Sequence, residues 1–301
     1  MVEVDEQELI DEMLLVKSDP ETDYGYKAMT AELQLRGYII NKKKVYRLMK
    51  HYQLLNDKPK KSGKVYVKHR RVDASEPLSV LEMDIKFQWV TEHERYAFIL
   101  SIIDCFTRRI LHWTAAYSIK QHQVIRAWEE VIVNHLQPNG TKKRELTIEV
   151  RNDNDSRFYA EKVKQYLLDN GLNQVFTHPY TPQENGHIES FHVILGRSLE
   201  NKYFRTLTDL NAHQEHFYKT YNQVRLHGSL DHLPPDLFWE LWKEGKIISI
   251  ERKNKSSKHK LIVPHYELSG NVNRREHLAR PQGEKRAEST KATAPVHQLS
   301  V

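Results

Sequence analysis

Leu81-Glu82-Met83-Asp84-Ile85-Lys86-Phe87 alternates apolar and polar side chains with the period of a β-strand. Met83, Ile85 and Phe87 fall on one face; Glu82, Asp84 and Lys86 fall on the other. The next apolar run, Tyr96 to Ile103, has the length and composition of a strand covered on both faces. Asp104-Cys105-Phe106-Thr107-Arg108 reads as a turn, and Arg109 to Tyr117 as a third strand. Periodicity then predicts a helix from Gln121 to Leu136, a strand from Leu146 to Val150, a helix from Ala160 to Asn170 followed by Gly171, and a strand from Gln174 to Thr177. Another helix is expected to start at Glu189, with Ile188, Phe191, Leu195 and Leu199 as its apolar stripe. Three strands in series, then alternating helices and strands, specify an α/β chain with a mixed five-stranded sheet flanked by helices.

Outside this core, Leu9, Ile10, Met13 and Leu14 stand at helical spacing. A second helix runs from Tyr26 to Arg36 and stops at Gly37. Asn41 is an N-cap for a third, Lys42 to Tyr52, with Val45, Leu48 and Met49 apolar and Lys43, Lys44, Arg47 and Lys50 on the other face. Two short helices with a glycine-bearing turn, the second basic, resemble a helix-turn-helix. Leu210 to Tyr221 adds a helix, and Pro234-Pro235 precedes a short one, Asp236 to Trp242. The expected organisation is a helical DNA-binding segment over 1–56, a basic linker over 57–77, a catalytic core over 78–245, and a basic extension over 246–301 that is partly disordered.

Net charge is +6 and unevenly spread. Residues 1–40 carry 3 Lys/Arg against 10 Asp/Glu, residues 41–71 carry 12 against 1, and residues 251–301 carry 11 against 5. Basic flanks around a mildly acidic core suit a polyanionic partner, and 12 against 1 is steep for a solvated face alone. No apolar run approaches the roughly 20 residues that cross a bilayer, so no membrane association is expected. The acidic N-terminus does not read as a signal peptide, which points to the cytoplasm. The single cysteine, Cys105, excludes an internal disulfide and a cysteine-rich zinc site, and reads as a small buried residue. There is no Gly-Lys-Ser/Thr phosphate loop and no Gly-x-Ser-x-Gly elbow.

Three acids stand out by context. Asp84 is on the first core strand. Asp153 lies in Arg151-Asn152-Asp153-Asn154-Asp155-Ser156-Arg157-Phe158, just past the fourth strand, and Glu189 follows after thirty-five intervening residues at the end of Tyr180-Thr181-Pro182-Gln183-Glu184-Asn185-Gly186-His187-Ile188-Glu189. Phosphodiester chemistry needs an activated oxygen nucleophile and neutralisation of charge, which two hard cations about 3.5–4 Å apart can supply. Carboxylates are natural ligands for Mg²⁺ or Mn²⁺. In this reading Asp84 bridges two ions, Asp153 holds one and Glu189 the other.

In joint order and spacing these segments resemble the DDE transposase and integrase superfamily, and within it bacterial insertion-sequence transposases with a retroviral-integrase-like core, the second-frame product of such elements. Tyr24-Gly25-Tyr26, Leu33, Arg36-Gly37 and Val45-Tyr46-Arg47-Leu48-Met49 resemble that family's helix-turn-helix segment. Asp104 to Arg108 resembles its strand turn, and Asn222 to Arg225, His227, Leu230 and Pro234 its closing segment, so the likeness spans roughly 24–242. It implies an RNase H-like core and Mg²⁺-dependent (or Mn²⁺-dependent) DNA cleavage and strand transfer, with Asp84, Asp153 and Glu189 catalytic. It also implies DNA partners (terminal repeats and target), a homo-multimer, an upstream-frame helix-turn-helix protein joined by frameshift, and a nucleoid-associated location.

Three positions depart from the family pattern: Asp155 replaces a glycine, Lys86 a threonine, and Gly196 a lysine or arginine. A β-carbon at 155 is expected to strain the turn. Arg197, next to Gly196, is a candidate DNA contact beside Lys42, Lys43, Lys44, Arg47 and Lys50. Glu184 is a rival third acid, Asp104 reads as a turn-former and Asp155 as a loop cap. His187 and His192 read as structural or DNA-facing, and Trp113, Trp128, Trp239 and Trp242 as core. Lys86 and Asp155 support one alternative, an inactive DNA-binding remnant or regulator; a simple RNase H-fold nuclease, which hydrolyses without joining, is another.

Overall fold

The computed structural model describes residues 5–19, 22–57, 72, 74–141, 147–178, 182–251 and 257–269. Most of the expected linker and the end of the C-terminal extension therefore lie outside the described residues. The helical segment consists of α1 (Glu6–Lys17), α2 (Tyr26–Leu35) and α3 (Lys42–His51). Asp5 caps α1 by accepting from the Gln7 amide, and Asn41 caps α3 by accepting from Lys43 and Lys44. The turn between α2 and α3 is made by Gly37 at φ +97°. Its amide donates to Gln34 O and that of Tyr38 to Leu33 O, a Schellman closure that needs the left-handed residue. The buried Arg36 side chain pairs with Glu32 at 2.9 Å and with Glu12, tying α2 to α1. Leu14 was expected inside but is 48% exposed; Val16 is buried instead, because the core-facing stripe of α1 runs Leu9, Met13, Val16.

The core sheet comprises β1 (Val80–Val90), β2 (Arg95–Asp104), β3 (Ile110–Ala116), β4 (Ile148–Asn152) and β5 (Leu172–Phe176). Strand order is β3-β2-β1-β4-β5. The first three strands are antiparallel neighbours; β4 runs parallel to β1 and β5 parallel to β4. This is the mixed five-stranded sheet expected from the strand pattern, in the RNase H-like order that the resemblance implies. Parallel pairs need crossovers, and helices provide them: α4 (Gln121–Val131, continued by a π-turn to Leu136) before β4, then α5 (Ser156–Tyr159) and α6 (Glu161–Asp169) before β5. The short α5 was not foreseen; four residues are too few to show a period.

Alternation along β1 divides the core. Leu81, Met83 and Ile85 pack with Leu100, Ile102 and the α4 and α6 side chains Val124, Trp128, Val163 and Leu167. The opposite face of β2 and β3 meets α7 (Gly186–Leu199) and α8 (Leu207–Gln223) through Ile99, Ile103, Ile188, Phe191, Leu195 and Phe217. All four expected stripe residues of α7 are buried, but the helix begins three residues before Glu189, which sits in its first turn. Helix α9 (Pro235–Lys243) and the hairpin β6 (Ile247–Glu251) and β7 (Ser257–Leu261) follow. They share a hydrophobic cluster with α1, α2 and α3, where Phe238, Leu241 and Leu261 join Leu9, Leu33 and Met49. Trp128 and Trp239 are buried as expected, and Trp113 stacks on Tyr218 at 4.9 Å. No described helix is long and apolar enough to cross a membrane.

Candidate active site

Strand register does most of the assembly. Glu82 pairs with Arg151 across the parallel β1–β4 ladder. The ladder ends there, two residues short of Asp84 on β1 and of Asp153, which follows β4. Asp153 is the first residue beyond β4, where the loop is held open by local bonds. Asn152 Nδ2 donates to Asp153 O (2.7 Å), the Asp155 amide to Asp153 Oδ1 (3.1 Å), and Asn154 Nδ2 to Thr177 O (3.1 Å). The two asparagines thus orient the turn.

Glu82 brings in the third acid. It is fully buried on β1, two residues before Asp84. Its carboxylate accepts from the Ile188 amide at 2.7 Å and contacts His187 Nδ1 at 2.9 Å. It therefore caps the first turn of α7 from another element, satisfying an amide that has no helical partner. Glu189 is the next residue. The sequence offered one signal for Glu82: a carboxylate on the same strand face as Asp84. On the other side of Asp84, His192 Nδ1 lies 3.2 Å from Asp84 Oδ2, which fixes the carboxyl orientation. His192 stands one turn after Glu189 on α7, so strand and helix are tied at two levels.

The resulting charge cluster is uncomfortable without a cation. Burial pushes the Glu189 carboxyl up to about 7, with the charges of Asp84 and Glu82 adding to it. Asp153 is also raised, by its surroundings first and by Asp84. Both shifts place Asp84 within electrostatic reach of the other two. Hard oxygen donors carrying excess negative charge fit a divalent ion such as Mg²⁺ or Mn²⁺.

A tighter group lies beneath: Glu82, Cys105 and His187 present ligand atoms within 4.8 Å of one another. Its atoms already serve one another and the Ile188 amide. Burial and the Glu82 charge push the Cys105 thiol up, so the thiolate a metal needs is disfavoured. Asp84, Asp153 and Glu189 do not close to that spacing. A pair of ions about 3.5–4 Å apart, with bonds of about 2 Å on either side, requires a wider set.

The rival acids have other work. Glu184 is 1% exposed and lies 3.0 Å from His178 Nδ1. Asp104, fully buried, accepts from the amides of Leu78, Phe106 and Thr107 and shapes the turn after β2. Asp155 caps α5 through the Arg157 amide and pairs with the Arg157 guanidinium. That pairing holds its carboxyl below the usual range. Its φ of −59° is ordinary, so the strain expected from a β-carbon does not arise. On α3, Lys42, Lys43 and Lys50 are exposed, while Arg47 (2.7 Å) and Lys44 (3.9 Å) reach Glu6 of α1. Arg197 is exposed and borders a cavity of about 200 Å³ with Asp23, Asn56, Ser198 and Arg225.

Two family models, each described as an integrase core domain, match residues 74–182 and 170–235, which together exceed half the chain. The chain belongs to the integrase-core family. An HTH-like domain model matches residues 4–62, the region of α1 to α3. Among curated relatives, a Xanthomonas euvesicatoria protein of insertion element IS476 is 24% identical over 71% of this chain, which spans 60% of that protein's length. A protein of insertion element IS407 from Burkholderia multivorans is 23% identical over 77% of this integrase-core chain and 81% of its own. The transposase for insertion sequence element IS904 of Lactococcus lactis is 25% identical over 71% of this chain and 87% of its own. Solved structures with lower similarity include the Mos1 mariner transposase catalytic domain (11% identity, TM-score 0.43, 54% of this chain and 74% of that one).

Proposed function

We propose that this integrase-core protein is an insertion-sequence transposase that cuts and joins DNA strands with divalent metal ions held by Asp84, Asp153 and Glu189. The observation that supports the proposal is where the three acids stand in the fold: Asp84 on β1, Asp153 just past the neighbouring β4, and Glu189 in the first turn of α7. The β1–β4 ladder runs to within two residues of both Asp84 and Asp153, and the Glu82 cap ties the first turn of α7, which carries Glu189, to β1. In this reading Asp84, Asp153 and Glu189 would together hold the ions. When bound, the ions would supply Lewis-acid activation of the attacking oxygen and neutralise charge on the leaving one.

The remaining work belongs to this chain. His192 holds the Asp84 carboxyl in one orientation. The Asp155 carboxylate is engaged by Arg157, and its amide holds Asp153 Oδ1. No side chain is needed as nucleophile. In cleavage the water oxygen bonds to phosphorus and the 3′-oxygen leaves as a hydroxyl. In joining, that 3′-hydroxyl attacks a target phosphodiester and displaces a new one. The lysines of α3 with Arg47 would bind DNA through the HTH-like segment. Assembly as a homo-multimer on paired element ends, a nucleoid location, and fusion to an upstream-frame segment belong to the same proposal.

The test uses DNA from the inverted repeats flanking the gene. Wild-type protein with Mg²⁺ or Mn²⁺ should nick the element end and join it to a plasmid. Asp84→Asn, Asp153→Asn and Glu189→Gln should do neither while still binding DNA. A fully active Glu189→Gln protein would reject the assignment, and hydrolysis without joining would leave a nuclease.

A further inference from the structure

Positions 86 and 196 depart from the family pattern separately in sequence, and in the fold they touch. Lys86 follows Asp84 by two residues on β1, so both side chains leave the sheet toward α7. Gly196 follows Glu189 by seven residues on α7, two turns along the same helix face. A β-carbon at 196 would stand 3.4 Å from Lys86 Nζ and 3.6 Å from its Cε. The lysine stem therefore lies across bare helix backbone. A glycine inside a helix is destabilising, and Gly196 has no unusual backbone angle that demands it. A β-carbon there would meet the end of Lys86 at ordinary contact distance, so what the glycine marks is where that end lies, against α7.

Among the described residues, no carboxylate forms an ion pair with Lys86, although Asp84 is two positions away. An ammonium left unpaired beside a cluster of acids is placed for an anion that arrives with the substrate. Seven helical residues separate Gly196 from Glu189, about 10 Å along α7. That is about three nucleotides along one strand at roughly 3.4 Å each.

We propose that Lys86, whose ammonium lies against α7 at Gly196, binds a backbone phosphate of the DNA strand whose reacting phosphodiester lies at Asp84, Asp153 and Glu189. The inference rests on the proposed function and adds a specific phosphate contact to it. The ligand is a nucleic-acid backbone, recognised by charge alone, so base sequence at that position is not read.

The experiment measures affinity for a duplex carrying the element end across a salt series in EDTA, and separately metal-dependent joining. Lys86→Met keeps the stem and removes the charge; Lys86→Thr removes both. Each should weaken binding several-fold at 150 mM salt and lower the salt slope by about one unit. Adding Gly196→Lys to Lys86→Thr returns a cation to the same place from the helix, and should restore slope and affinity. Gly196→Lys alone crowds Lys86 and should not strengthen binding. Wild-type affinity and slope in Lys86→Met, or a double variant no better than Lys86→Thr, would overturn the proposal. If wild type itself fails to cut or join, the functional reading fails; if it joins and Lys86→Met matches it in every measurement, only this inference falls.

Discussion

Replacing Glu189 by Gln should stabilise the metal-free protein while abolishing its activity. The carboxyl is pushed up to about 7 from an ordinary 4.5 by burial and by the charges of Asp84 and Glu82. A raised acid favours the fold below its unfolded pKa, and that contribution is lost as pH rises through the folded one. At pH 8 the ionised carboxylate thus costs the fold up to about 3 kcal/mol, and about half that once solvent screening at a half-buried site is allowed for. The amide removes the charge at similar volume. By thermal melting in EDTA, Glu189→Gln should therefore melt a few degrees above wild type at pH 8 and level with it at pH 4.5. Adding Mg²⁺ at pH 8 should stabilise wild type more than the variant, since binding relieves the same repulsion. An unchanged melting point at pH 8, or equal stabilisation at both pH values, would refute the reasoning.

Glu82→Ala leaves the Ile188 amide buried without an acceptor, at a cost of about 1–3 kcal/mol, and should weaken Mn²⁺ binding; Glu82→Gln keeps an acceptor and should recover most of it, as titration calorimetry can check. Asp155→Gly removes a helix cap and the Arg157 ion pair, so it should cost less than about 1 kcal/mol in denaturant melts and leave joining activity near wild type. Neutralising Lys42, Lys43, Lys44 and Arg47 together should flatten the salt dependence of DNA affinity by three to four units, roughly 0.9 per contact; an unchanged slope would remove α3 from the interface.

The fold was largely legible because its strands announce themselves. The alternation from Glu82 to Phe87 and the two-sided apolar run from Tyr96 to Ile103 both form strands, each extended at its ends by pairing that no single-strand pattern contains. The three acids were singled out by spacing and context. What holds them was not. Glu82 and Ile188 are separated by 106 positions, and their bond exists only once α7 lies on β1. His192 read as structural or DNA-facing, because nothing local shows that it reaches Asp84. Asp155 and Lys86 suggested a decayed copy when read one at a time. In the fold Asp155 is a cap paired with Arg157, and the end of Lys86 lies against α7 at Gly196, so neither favours an inactive remnant.

The central claim is that Asp84, Asp153 and Glu189 together cradle divalent ions. Anomalous diffraction from crystals equilibrated with Mn²⁺ tests it most directly. The account predicts two manganese peaks about 3.5–4 Å apart, touching the oxygens of Asp84, Asp153 and Glu189. Peaks seated instead among Glu82, Cys105 and His187, or no manganese beside Asp84, would contradict it.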